Sequence, residues 1–123
     1  MDIQARILLI DDEPTIREAV KDGLKMLGTE VISAENGRQG IALYQENQQD
    51  IDLILLDMQM PGLNGRETFF RLREINPQVK VILSSGYSET DFIHGIAPEA
   101  IVAFLQKPYR FEKLMAEIQA ALM

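Results

Sequence analysis

The sequence contains no cysteine and only one histidine, His94. Without cysteine there is no disulfide framework, no thiolate nucleophile and no cysteine metal site, which suits a reducing compartment. Basic residues are also scarce, 12 Lys and Arg against 19 Asp and Glu, for a net charge of −7 and a pI of about 4.6. Nucleic acid and anionic membranes both require a basic surface, so direct binding to either is excluded for this domain. Long apolar runs are missing as well. The longest are strand-length, far short of a membrane span, and the N-terminus lacks a signal-peptide pattern. There is no low-complexity tract, linker or residue-level repeat. What remains is 123 residues, 46% hydrophobic and 25% charged, the profile of one ordinary soluble domain over residues 1–123.

The apolar residues are arranged in short blocks. Ile7–Ile10 runs into Asp11, Asp12 and Glu13, and Leu53–Leu56 runs into Asp57. Continuous apolar runs of this length read as strands buried on both faces, as in a parallel sheet with helices above and below. Between them, Pro14 opens a helix that carries Ile16, Val20, Leu24 and Leu27 at helical spacing and stops at Gly28. Asp11 or Asp12 is a possible N-cap for it. Glu30–Ala34 reads as a strand, Glu35-Asn36-Gly37 as a turn, and Arg38–Gln48 as a helix with Ile41, Leu43 and Tyr44. After the 61–64 loop, Gly65 opens a helix with Phe69, Leu72 and Ile75, ended by Asn76-Pro77. Val79–Leu83 reads as a fourth strand and Ile101–Gln106 as a fifth. Residues 88–99 carry helical content interrupted by Gly95 and Pro98. Phe111, Leu114, Met115, Ile118 and Leu122 form a final amphipathic helix. Met58, Met60 and Phe104 each read, taken singly, as core packing.

Strand and helix alternate five times. The pattern predicts an α/β fold, a (βα)5 doubly wound, flavodoxin-like three-layer sandwich with a parallel sheet in the order 2-1-3-4-5. Ligands in such sheets bind beyond the carboxyl ends of the strands, where strand order reverses. Taken one by one, the polar residues there look ordinary: an Asp at a strand end is usually a turn residue, Ser-Ser-Gly a loop, Lys-Pro a solvated turn. Taken together they fall on one edge. Asp11 and Asp12 follow strand one, Asp57 follows strand three, Ser84 and Ser85 follow strand four, and Lys107 follows strand five. Clustered carboxylates need a cation, and oxygen-only ligands favour Mg²⁺ or Mn²⁺. Mg²⁺ tends to bridge to phosphate. With an ammonium and a hydroxyl alongside, the set suits in-line phosphoryl transfer to a carboxylate.

These residues resemble a known family. Ile-Asp11-Asp12-Glu, Leu-Leu-Asp57-Met-Gln-Met-Pro61-Gly-Leu-Asn-Gly65, Ser-Ser85-Gly-Tyr and Lys107-Pro108 are together similar to the receiver domain of response regulators in two-component signalling. The likeness covers essentially the whole chain. It implies that Asp57 is the phosphoacceptor, with Lys107 and Ser85 contacting the phosphoryl group. It implies an Mg²⁺ ion held by Asp12, Asp57 and the backbone carbonyl of Gln59, with Asp11 acting through water. Ser85 and Phe104 take the switch positions, and Gln59 and Tyr87 the two variable positions that tune phosphoryl hydrolysis. The implied partner is a histidine kinase or histidine phosphotransfer protein. The implied location is cytoplasmic, alone or within a longer membrane-anchored hybrid kinase, whose receivers the Phe-Leu-Gln-Lys-Pro-Tyr wording resembles. By the same likeness the chain is a signalling domain, phosphorylated and dephosphorylated by its own chemistry, and not a turnover enzyme. His94 reads as exposed or structural, and the interrupted 88–99 segment as a short or shifted helix.

Three rivals are weighed against this reading. A flavin module on the same fold needs a hydroxyl- and glycine-rich phosphate loop where Asp11-Asp12-Glu13 stand. An aspartate-nucleophile phosphatase needs a second carboxylate where Gln59 stands. A non-phosphorylated binding module would not need the full acidic set.

Overall fold

Leu53 to Leu56 carry no polar side chain because both faces of their strand are covered. In the computed structural model, which describes residues 4–60, 62, 64–86 and 101–122, the elements run β1 (Arg6–Ile10), α1 (Pro14–Lys25), β2 (Glu30–Ala34), α2 (Gly37–Asn47), β3 (Leu53–Asp57), α3 (Gly65–Ile75), β4 (Val81–Ser85), β5 (Ala103–Gln106) and α4 (Phe111–Leu122). All strand pairs are parallel and the sheet order is β2-β1-β3-β4-β5, as the alternation predicts. The central strands β3 and β4 are buried along their whole length, whereas the edge strands β2 and β5 are partly exposed. The helix expected within residues 88–99, with His94, Gly95 and Pro98, lies outside the described residues.

Side chains that alternate along the strands feed two separate cores. On one face Leu8, Ile10, Ile54, Leu56 and Leu83 meet Tyr44 of α2 and Phe69 and Leu72 of α3. On the other, Ile7, Leu9, Leu53, Leu55 and Ile82 meet Val20 and Leu24 of α1 and Leu114 and Ile118 of α4. Met58 and Met60 are buried in the first of these cores, as gap-fillers. Phe104 packs against the same core while only half-buried.

The helix starts follow from local chemistry. Asn36 and Asn64 cap α2 and α3 by accepting from the amides of Gln39 and Glu67. The start of α1 differs from the sequence expectation. Its N-cap position is Glu13, which makes no side-chain cap, and Pro14 opens the helix. Asp11 instead accepts the Glu13 amide in a two-residue turn. Neither aspartate is therefore spent on capping.

Strand four is displaced from its expected bounds. It begins at Val81, not Val79, because the Val79 amide donates to the Asn76 carbonyl in the turn that ends α3. It continues through Ser84 and Ser85, which the sequence reading placed after the strand. Both serines are buried, and Ser84 pairs with Asp57. Strand five is shorter than expected, starting at Ala103, although the Val102 amide already reaches the Val81 carbonyl.

Gly65 fixes the loop after β3. A methyl group at this position would run into the Cα of Met58 and lie 2.7 Å from the carbonyl oxygen of Asp57. Both are backbone atoms, with no rotamer by which to yield. We therefore expect Gly65→Ala to destabilise the domain by about 1–3 kcal/mol despite alanine's better helix propensity, read as a lower urea midpoint. A stability equal to wild type would show that the Asp57 loop tolerates displacement.

Candidate functional site at the carboxyl edge of the sheet

The strand order delivers the polar residues to one place. Ile10 pairs with Leu56, so Asp11 and Asp57 leave adjacent strands side by side. Backbone hydrogen bonds continue past the strand ends: Asp11 N to Ala34 O at 3.1 Å, Met58 N to Ser84 O at 2.8 Å, and Lys107 N to Ser85 O at 2.6 Å. Each site residue is thereby anchored to its neighbouring strand. The carboxylates of Asp11, Asp12, Glu13 and Asp57 each place an oxygen within 4.8 Å of the others. The Lys107 ammonium sits among them, 3.0 Å from Asp11 Oδ2, 3.2 Å from Glu13 Oε1 and 3.2 Å from Asp57 Oδ2.

The two buried aspartates have different surroundings. Asp11 is fully engaged. Its Oδ1 accepts from the Glu13 amide, its Oδ2 from Lys107, and its carbonyl from the Arg17 guanidinium at 2.7 Å. Asp57 is not. Its Oδ1 accepts the Gln59 amide at 2.9 Å. Its Oδ2 is buried, lies in ion-pair range of Lys107, and receives no hydrogen bond with proper geometry. Burial is the main reason the Asp57 carboxyl is pushed up to about 6. The Asp11 charge adds to this, and the Gln59 amide and Lys107 pull against it. For Lys107, burial by itself lowers the pKa. The hydrogen bond and charge of Asp11, joined by Asp57, outweigh burial and hold the ammonium above its ordinary value.

Asp12 is half-buried and has no hydrogen bond or ion pair among the described residues. A hard divalent cation fits this donor set. The carboxylates outnumber the one ammonium, Asp57 Oδ2 is a buried acceptor lacking a donor, and Asp12 is uncommitted. Asp11, saturated by its own contacts, is suited to act on such an ion at one remove.

Of the residues singled out from sequence at the strand ends, Asp11, Asp12, Asp57 and Lys107 converge here; Ser85 reaches the edge of the site through Gln59, and Ser84 pairs with Asp57 through its backbone. Phe104 does not join the carboxylates; it packs into the α2–α3 core. Three side-chain contributions are not read from the sequence, although Gln59 is named there for its backbone carbonyl and Glu13 as an acid. Glu13 shares Lys107. The Gln59 side chain crosses to β4, where its Oε1 accepts from Ser85 Oγ at 3.2 Å and from the Gly86 amide. Tyr109 has a buried, unpartnered hydroxyl, pushed up to about 12 by burial and by the nearby acids. Glu13 was legible as a third consecutive acid. For Gln59 and Tyr109 nothing in the pattern signals where the side chain points. A cavity of about 630 Å³ adjoins the site, lined by Glu13, Gln59 and Lys107 together with the apolar Ile16, Val20 and Phe111.

Comparison with known proteins agrees with this geometry. The model of the response regulator receiver domain matches residues 7–119. The chain belongs to that family. A receiver domain from Clostridium thermocellum is 33% identical, with a TM-score of 0.88 over 96% of this chain and 94% of that one. The response regulator TrrA of Thermotoga maritima, solved with Mg²⁺ and BeF, is 34% identical, with a TM-score of 0.80 over 96% of this chain and 99% of that one. TrrA has also been solved in complex with the histidine kinase ThkA. Among curated proteins, the transcriptional regulator CpxR of Escherichia coli is 36% identical over 117 residues, 95% of this chain but 49% of CpxR. The chain spans about half the length, or less, of the curated relatives it matches. It is a receiver domain of two-component signalling, homologous to phosphoacceptor domains.

The raised Asp57 pKa has a consequence for stability. The carboxyl titrates near 3.8 when unfolded and near 6 when folded, so folding favours its protonated form. The associated stability is complete below about 3.8 and is lost as pH rises through about 6. At pH 8 without divalent cation, Asp57→Asn is expected to unfold at higher urea than wild type, by about 1–3 kcal/mol. The gap should close by pH 4. A variant that is less stable than wild type at pH 8 would refute the assignment of a strained, desolvated carboxylate.

Proposed function

We propose that Asp57 is the residue that accepts the phosphoryl group. The observation that carries this is its Oδ2, a buried carboxylate oxygen with no hydrogen-bond donor, facing an ammonium and a cluster of acids. Oδ2 forms the new bond to phosphorus as the phosphorus–nitrogen bond of the partner's phosphohistidine breaks. The bonding pair leaves with the imidazole nitrogen, which then takes a proton. Lys107 contributes a point charge to one phosphoryl oxygen, and the Ser85 hydroxyl hydrogen-bonds another.

Asp12, Asp57 and the Gln59 carbonyl would hold Mg²⁺, with Asp11 acting through water. The Mg²⁺-BeF form of TrrA and the uncommitted carboxylate of Asp12 support that choice. When bound, the ion neutralises charge that gathers on the phosphoryl oxygens. The donor is a histidine kinase or a phosphotransfer protein, as the ThkA complex of TrrA suggests. Phosphorylation then biases a two-state surface through Ser85, Lys107 and the half-buried Phe104. The domain ends the reaction carrying the group, so it signals and does not turn over substrate. We place it in the cytoplasm, alongside the kinase or phosphotransfer protein that would phosphorylate it. Among the described residues no helix is long and apolar enough to cross a membrane.

Incubation with acetyl phosphate and Mg²⁺ should add the mass of one phosphoryl group to the wild-type chain and none to Asp57→Asn. Lys107→Met should slow the addition by about tenfold or more, and Asp12→Asn should raise the Mg²⁺ concentration needed. An adduct of undiminished size in Asp57→Asn would overturn the proposal.

A further inference from the structure

Gln59 is tied at both ends. Its backbone amide donates to Asp57 Oδ1. Its side chain folds across to the end of β4, where the one atom Oε1 accepts from both Ser85 Oγ and the Gly86 amide. A carbonyl oxygen with partial negative charge, gripped by a hydroxyl and an amide, is chemically close to a phosphoryl oxygen gripped by the same two donors. These donors stand one and two residues beyond Ser84, the cross-strand partner of Asp57. They therefore lie where an oxygen of a group carried by Asp57 would look for hydrogen bonds. We propose that the Gln59 side chain is an internal stand-in for a phosphoryl oxygen. It occupies Ser85 and Gly86 in the resting domain and must be displaced before they can turn to a phosphorylated Asp57.

Burial makes this arrangement competitive. Ser85 is fully buried, so its hydroxyl has little recourse to water, whereas Gln59 is exposed and can leave for solvent at low cost. The amide thus satisfies the donors in the resting state without locking them. Gly86 fits the same picture, since a methyl group there would lie 3.0 Å from Gln59 Oε1 and would press on the contact. Gln59 acts through Ser85 and Gly86, so its side chain is a positioning element that sets a threshold for phosphorylation. This rests on Asp57 being the phosphoacceptor, but the resting contact can be tested without that assumption.

The test uses Gln59→Met, which keeps the unbranched length and removes the oxygen, and Gln59→Glu, which restores an acceptor at the same reach. In the metal-free protein, hydrogen exchange of the Gly86 amide reads the contact directly. It should speed up by about fivefold in Gln59→Met, the equivalent of one net hydrogen bond, and return toward wild type in Gln59→Glu. With Mg²⁺ present, beryllium fluoride should bind Gln59→Met about fivefold more tightly than wild type. Unchanged Gly86 exchange in Gln59→Met would overturn the contact. Faster exchange with unchanged or weaker beryllium fluoride binding would overturn the competition, leaving a merely structural bond. If wild type gains no phosphoryl group from acetyl phosphate, the reading of Asp57 fails, and the Gly86 exchange still reports separately on the contact.

Discussion

Everything at this site depends on one electrostatic constraint, a carboxylate buried at the end of a strand that has no polar side chain before it. Asp57 is 1% exposed. A desolvated carboxylate is tolerated only with a compensating charge or hydrogen bonds. The fold supplies both in part. The Gln59 amide serves one oxygen, and Lys107 faces the other without completing a hydrogen bond. The remaining acids make the compensation incomplete, because Lys107 is shared with Asp11 and Glu13. A site left short of positive charge in this way has affinity for a cation, and through it for an anion that brings its own oxygens.

The placement of those charges follows from the backbone. A parallel sheet points every strand's carboxyl end the same way, so residues from the ends of β1, β3, β4 and β5 meet without any single loop being long. The ladders persist beyond the strands through the amides of Asp11, Met58 and Lys107. Gly65 then presses α3 directly onto the backbone of Asp57 and Met58. The carboxylate is thus held by hydrogen bonds on one side and by close packing on the other. That is the rigidity in-line transfer requires, since reacting atoms must meet in a narrow range of geometry.

Much of this was legible in the sequence, for identifiable reasons. Runs such as Leu53–Leu56 mark doubly covered strands, helical spacing marks α1 and α4, and alternation of the two marks parallel topology. Asp11, Asp12, Asp57, Ser85 and Lys107 were found because each ends or follows an apolar block. The limits of β4 were misplaced because an apolar Val79 looks like strand, although a turn hydrogen bond from α3 claims its amide first. The serines looked like loop because their hydroxyls are polar, although both are buried and Ser84 is paired with β3. The reach of the Gln59 side chain and the orphaned Tyr109 hydroxyl depend on rotamers and on neighbours far away in sequence, which periodicity does not encode.

The distribution of hydrogen bonds around the four acids separates holding from reacting. Asp11 has every acceptor occupied, so it contributes a fixed charge and a fixed loop. Asp57 Oδ2 and Asp12 keep lone pairs unclaimed within the described residues, which is what supports the roles proposed for them. Lys107 stands between the groups. Its ties to Asp11 and Glu13 keep the ammonium in place whatever becomes of Asp57. A phosphoryl group on Asp57, as proposed, would give Lys107 a stronger partner without its having to travel. The hydrogen bonds of Ser85 and Gly86, by contrast, end on the exposed Gln59 side chain, which leaves for solvent at lower cost than a buried group.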